Sequence, residues 1–337
     1  MASLTNPILI RTHRGTHIEN QHRGAYVVTD PHGDIISAAG HYQSMIYARS
    51  SLKPINVLAM LESGAADHFH VSEEEIALAC ASHSGEQKHV ELVAAWLDRI
   101  GCTPEDLECG IHAPMAQSAR RDLQKKGEKP TTLHNACSGK HAGFLTLTKF
   151  LGALIKGYTN SDHPTQKAIM KTAAHMVDIK VDETPKGIDG CRIPMMAMPM
   201  INLAVGMTKL VAPTDLEPCL KDSCQRVIQA MQKHPFCIGG TKRFDTEIID
   251  HTQGQVLVKM GADGVFSGII PKKKWGIALK IDDGNLVAAE AAMFHVLRRL
   301  EILDKSLYQE DGPLTHWMKL PITNYLKEQV GYFETAF

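Results

Sequence analysis

The chain has 337 residues, with 36 Lys plus Arg against 37 Asp plus Glu. That length allows one large domain or two ordinary ones, and the balanced charge offers no field to draw in nucleic acid or an anionic membrane. No apolar run reaches the roughly 18 residues of a bilayer span, the segment Met1-Ala2-Ser3-Leu4-Thr5-Asn6-Pro7 lacks a signal-peptide core, and eight cysteines without a Cys-x-x-Cys pair fit a reducing cytoplasm.

In chain order, Arg14 to Gly24 is polar and dense in charge. Two strands are predicted at 25–29 and 34–38, joined by the turn residues Asp30-Pro31-His32-Gly33. Next comes Ser50-Ser51-Leu52-Lys53-Pro54, opening a segment apolar on nearly every side to about Gly64. A helix with no polar face is a buried one, so this helix should run through the middle of the fold. Pro54 suits a first turn, and residues three apart share a helix face, bringing the Lys53 amine toward the Ser50 hydroxyl. A desolvated lysine can lose its proton and act as base to a serine nucleophile. Taken alone, Ser-x-x-Lys reads more readily as an N-cap serine followed by a surface lysine; the apolar helix it opens favours the chemical reading.

Ser72-Glu73-Glu74-Glu75 reads as a capping box ahead of a short helix at 76–80. Ser82 follows in a small polar segment, where it serves either as a cap or as a side chain reaching a cleft. Val90, Val93, Ala94, Leu97 and Ile100 give the next helical stripe, and residues 108–136 read as a long solvated loop. Cys137-Ser138-Gly139-Lys140-His141 precedes an apolar helix at 144–154. Its small residues serve equally a tight turn or the close approach of a ligand or metal. A helix to about 177, a rigid turn at 187–194, a stripe from Met200 to Val211 and a helix at 216–233 complete the middle. Strands return at 255–261, 265–269 and 275–281, before a final helix at 288–300. The expected fold is therefore α+β: one antiparallel sheet from the N- and C-terminal strands, flanked by helices. It forms a single domain, 1–337, with a mostly helical insertion at roughly 72–250.

Strands at both ends, the Ser-x-x-Lys segment and the late Lys259-Met260-Gly261 together resemble the serine β-lactamases, penicillin-binding proteins and serine glutaminases. Met260 stands where those enzymes carry Ser or Thr and no Ser-Asp-Asn is present, which argues against a β-lactam substrate. The chain as a whole resembles the L-asparaginase family of the Rhizobium etli (thermolabile, type II-like) kind. The resemblance lies in Arg14-Gly15…Ile18-Glu19-Asn20, Ala48-Arg49-Ser50…Lys53-Pro54, Cys80-Ala81-Ser82-His83-Ser84, Cys137-Ser138-Gly139-Lys140-His141, Asp162-His163-Pro164, Asp189-Gly190-Cys191, Lys259-Met260-Gly261-Ala262-Asp263 and Asp282-Asp283-Gly284-Asn285.

That resemblance implies two serine–lysine pairs, Ser50 with Lys53 and Ser82 with Lys259. It implies a zinc site of Cys137, Lys140 and Cys191, structural or substrate-positioning in role, and substrate contacts from Arg49, Asp189 and His141. Two thiolates suit zinc, whereas the residues alone point to His141 or His134 as the third ligand. Asp189 is equally a turn residue and a grip for a substrate ammonium. The implied activity is hydrolysis of L-asparagine through a serine acyl-enzyme, in a cytoplasmic homodimer that engages neither nucleic acid nor membrane. A serine glutaminase or broader amidase, and a catalytically silent zinc-binding homologue, are the alternatives.

Overall fold

The computed structural model describes residues 5–337; the first four residues of the N-terminal stretch read for a leader lie outside it. Eleven strands form among the described residues: β1 Ile8–Arg14, β2 His17–Thr29, β3 Ile35–Ala39, β4 Met45–Tyr47, β5 Lys186–Ile188, β6 Pro194–Pro199, β7 Leu257–Gly261, β8 Val265–Ile270, β9 Trp275–Ile281, β10 Pro321–Thr323 and β11 Gln329–Thr335. Eight of them make one antiparallel sheet in the order β10-β11-β1-β2-β9-β8-β7, with β3 also on β2. The 13-residue β2 is its spine: the first half pairs with β1, the second with both β3 and β9. The N- and C-terminal strands thus share one sheet, as expected, and β7 forms one of its edges.

From the second half of β2 through β9 and β8 to β7 the sheet is buried on both faces, and the two-residue period of a strand sorts its side chains between two cores. Ala25, Val27, Leu257, Val265 and Ala278 face the helical lobe. Tyr26, Val28, Val258, Phe266 and Leu279 face the helices Phe244–His251 and Leu286–Arg299. By the same alternation Lys259, two residues from Leu257, points toward the lobe. The helix Met200–Val211 lies across the lobe side of β9.

Between β4 and β7 the chain is mostly helical, and the capping box at Ser72 forms as read: its hydroxyl accepts from the Glu75 amide and the Glu75 carboxylate from the Ser72 amide. Pro164 stands in the first turn of the helix Pro164–Met176. Three expectations are corrected. The buried Ser-x-x-Lys helix is a broken series, a 3-10 turn Arg49–Leu52 followed by Lys53–Asn56, Leu58–Glu62 and Ala65–His68, with Gly64 in the left-handed region at φ 84. The helix placed at 144–154 starts at Ser138, so Ser138, Gly139 and Lys140 lie inside its first turn. The solvated loop at 108–136 contains the helix Gln117–Lys126, which has no buried residue and hence no apolar stripe to read. A small second sheet, β4-β6-β5, stands beside the Ser50 turn.

Candidate active site

The 3-10 turn Arg49–Leu52 sits against the sheet edge at β7. The two backbones approach so closely that a Cβ on Gly261 would lie 2.9 Å from the Ala48 carbonyl and 3.1 Å from the Ser51 amide. Glycine is therefore required there for close approach rather than for a turn. In a 3-10 turn residues three apart eclipse, so Ser50 and Lys53 share a face. Both line a cavity with Arg49, Asn56, Lys140, Gln166, Asp189 and Met196.

Lys53 is 1% exposed, and its amine does not turn back to Ser50. It donates to the Ala81 carbonyl, lies 3.1 Å from Ser82 Oγ and 3.3 Å from Cys137 Sγ. Ser82, three residues beyond the buried end of the helix Glu73–Ala79, is held from the other side by Lys259 Nζ at 2.9 Å. Lys259 is wholly buried and also donates to the Met260 carbonyl at 2.7 Å. Burial, aided by the charges of Lys53 and Arg243 and opposed by Asp245, pulls the Lys259 amine down to about 7. Three of the four expected Ser/Lys members thus form one line, Lys53–Ser82–Lys259, and Ser50 faces the cavity beside its near end.

His83, the neighbour of Ser82, is not available as a base. The Gly85 amide donates to its Nδ1, so its proton sits on Nε2, 2.8 Å from Ser138 Oγ. Burial, with His89 and Lys53 nearby, holds its pKa well below the ordinary value, and the ring stays neutral.

Cys137, Asp189 and Cys191, of which Asp189 lines the cavity, bring their ligand atoms within 4.8 Å of one another. Donors bound to one zinc at 2.0–2.3 Å stand about 4 Å apart, so this set fits such an ion. Lys140 Nζ is 3.0 Å from Cys191 Sγ, and the Cys191 thiol lies 3.0 Å from an Asp189 oxygen. The Cys191 thiol and the ammonium groups of Lys53 and Lys140 hold Cys137 well below the ordinary thiol range. Against the cost of burial, Lys140, Cys191 and Arg49 keep Asp189 an anion. Asp189 therefore belongs to the thiol cluster, a membership its place in a Gly-to-Pro turn does not reveal.

Arg49 bridges the two sides. Its backbone is left-handed at φ 52, a strained position for a side chain of this size. Its guanidinium pairs with Asp189 at 2.9 Å and with Asp263 on the turn after β7. His141 lies off the cavity, fully buried, with Nδ1 2.6 Å from the Tyr158 hydroxyl; its Nε2 has no hydrogen-bond partner among the described residues. Two contributors escaped the sequence reading: Gln166 on the cavity wall and Asp245 behind Lys259.

A serine held between two buried lysines, beside a cavity with a second serine, belongs to hydrolytic chemistry on carbonyl compounds. The chain belongs to the L-asparaginase II family, whose model matches residues 10–335, and it is accordingly an amidohydrolase of the asparaginase type. No curated protein matches it. Among solved structures it is similar to a β-lactamase from Mycobacterium bovis, with 11% identity, 82% of this chain and 94% of that chain covered, and a TM-score of 0.43. It is also similar to a Bacillus glutaminase, with 15% identity, 83% and 91% coverage, and a TM-score of 0.37.

Proposed function

We propose that the protein hydrolyses L-asparagine to L-aspartate and ammonia through a serine acyl-enzyme. The observation that carries this reading is the buried line Lys53–Ser82–Lys259 ending at the cavity where Ser50 stands. Ser50 Oγ attacks the side-chain amide carbon. The neutral Lys259 amine takes the Ser82 hydroxyl proton, Ser82 takes one from the Lys53 ammonium, and the Lys53 amine so formed takes the Ser50 proton across the cavity that both residues line. Collapse of the tetrahedral adduct returns a proton along the same line to the departing ammonia. Water, activated in the same way, then releases aspartate. The Arg49 guanidinium suits the substrate carboxylate and Asp189 its ammonium.

Zinc would be held by the Cys137 and Cys191 thiolates with Lys140 or Asp189. The Asp189 carboxylate offers a ready anion, whereas the Lys140 amine must first give up its proton. Bound there, the ion would supply positive charge beside the substrate pocket, while nucleophile and bases come from Ser50, Ser82 and the lysines. Eight free cysteines agree with a reducing cytoplasm. The reading includes a homodimer, tested by light scattering.

One observation favours a second assignment of the nucleophile: Ser82, not Ser50, carries both lysine contacts. Acid-quenched reaction followed by mass spectrometry separates the two by the peptide that bears the acyl group. Ammonia release from asparagine against glutamine decides between asparaginase and glutaminase, and absence of release from either, with zinc still bound, indicates the silent homologue.

A further inference from the structure

Behind the Ser82–Lys259 contact lies a buried carboxyl group that the mechanism above does not use. Asp245 opens the helix Phe244–His251 and is 1% exposed. One of its oxygens, Oδ1, accepts the Met260 amide at 3.1 Å. The other, Oδ2, is fully buried, has no hydrogen-bond partner among the described residues, and lies 3.8 Å from Lys259 Nζ. A buried carboxylate oxygen left without a donor is costly unless a nearby charge repays it. Among the described residues, Lys259 is the cation within ion-pair range of it.

We propose that Asp245 is a positioning residue for Lys259: through the Met260 amide it fixes the strand that carries the lysine, and through Oδ2 it supplies the counter-charge for the ammonium formed when Lys259 takes the Ser82 proton. This inference rests on the reading of Lys259 as proton acceptor. In the step concerned the Ser82 O–H bond breaks and an N–H bond forms on Lys259. The site then holds one new cation, and Asp245 is the anion placed to meet it.

The charged and titratable groups facing the pair come from every side. Lys53, Cys80 and Cys137 face Lys259 from the lobe, and Arg243 and Glu290 face Asp245 from the opposite side of the sheet. Burial pushes the Asp245 carboxyl up and the Lys259 amine down, and against that push each group's charge favours the charged form of the other. Glu290, half-buried on the helix Leu286–Arg299, is pushed up to about 7 by burial and by the Asp245 and Glu247 carboxylates, against the pull of Arg243.

Asp245→Asn keeps the oxygen that accepts the Met260 amide and removes the charge. The acid limb of kcat/KM for asparagine should then move to lower pH by about one unit or more, the size of shift that an opposite charge at this range produces. A purely structural role would lower stability and leave the limb where it is, and an unmoved limb in folded Asp245→Asn overturns the proposal. Should that variant fail to fold, the wild-type protein still decides. With carbon-13 in lysine and aspartate side chains, the Asp245 carboxyl signal should respond over the same pH range in which Lys259 titrates. An Asp245 signal flat through the Lys259 titration also overturns it. Because this readout needs no substrate, loss of the asparaginase reading and loss of this one are told apart.

Discussion

Substituting Lys259→Met removes the buried amine while keeping an unbranched chain of similar length. In water a lysine side chain titrates near 10.4, so at pH 7 only about one molecule in 2,500 presents a neutral amine. In the folded protein the Lys259 amine is pulled down to about 7 by burial and by Lys53 and Arg243, so about half the molecules present it at that pH. The fold therefore enriches the proton-accepting form by about 10³. A well-placed general base contributes about 10²–10⁴ to the rate, and Lys259→Met should lower kcat/KM by that factor at pH 8. The sign of the pH effect follows from the depressed pKa: the neutral amine is lost as pH falls through about 7, so wild-type kcat/KM should rise across that value and level off above it. The assay is initial-rate ammonia release from asparagine between pH 5 and pH 10, with circular dichroism to confirm folding. A limb near neutrality also fits an ordinary histidine, so His83→Ala is the control. His83 is locked neutral between Gly85 and Ser138, and its removal should leave the limb in place. If the limb survives in Lys259→Met and disappears in His83→Ala, the lysine relay is wrong.

Ser50→Ala should cut kcat by several orders of magnitude with the fold intact, since losing a nucleophile removes the covalent route altogether; near-normal turnover, or an acyl group found on Ser82, reverses the roles of the two serines. Metal analysis of protein prepared without added zinc should find about one zinc per chain, given the preference of that ion for thiolates, and Cys137→Ala should abolish it. Chelation should raise KM more than it lowers kcat, and a metal-free native protein would reduce both cysteines to packing. Gly261→Ala puts a methyl group within 2.9 Å of the Ala48 carbonyl, so it should cost about 1–3 kcal/mol in unfolding free energy and lower kcat by moving the Ser50 turn. Ser72→Ala, far from the cavity, should cost about 1 kcal/mol by chemical denaturation and leave kcat/KM unchanged, because it breaks only the capping box.

Much of the fold is legible in the order of residues because its signals are local. The capping box at Ser72, the stripe from Met200 to Val211, and the strands β7, β8 and β9 each follow from periodicity and end residues within a dozen positions. The resemblance to a family of asparaginases picks out Ser50, Lys53, Ser82 and Lys259, and those residues do gather at one cavity and the line behind it. Strands β1, β10 and β11 give little local signal, being edge or near-edge segments with many polar side chains, and their pairing across the whole chain completes the sheet. Tertiary structure alone decided where each amine points. Lys53 turns to Ser82 and Cys137 rather than to Ser50, because the 3-10 turn and the end of the helix Glu73–Ala79 meet there. It likewise joined Asp189 to Cys137 and set Asp245 against Lys259. Contacts between residues so far apart in the chain leave no trace in spacing, since they depend on how sheet edge and helix ends converge in space.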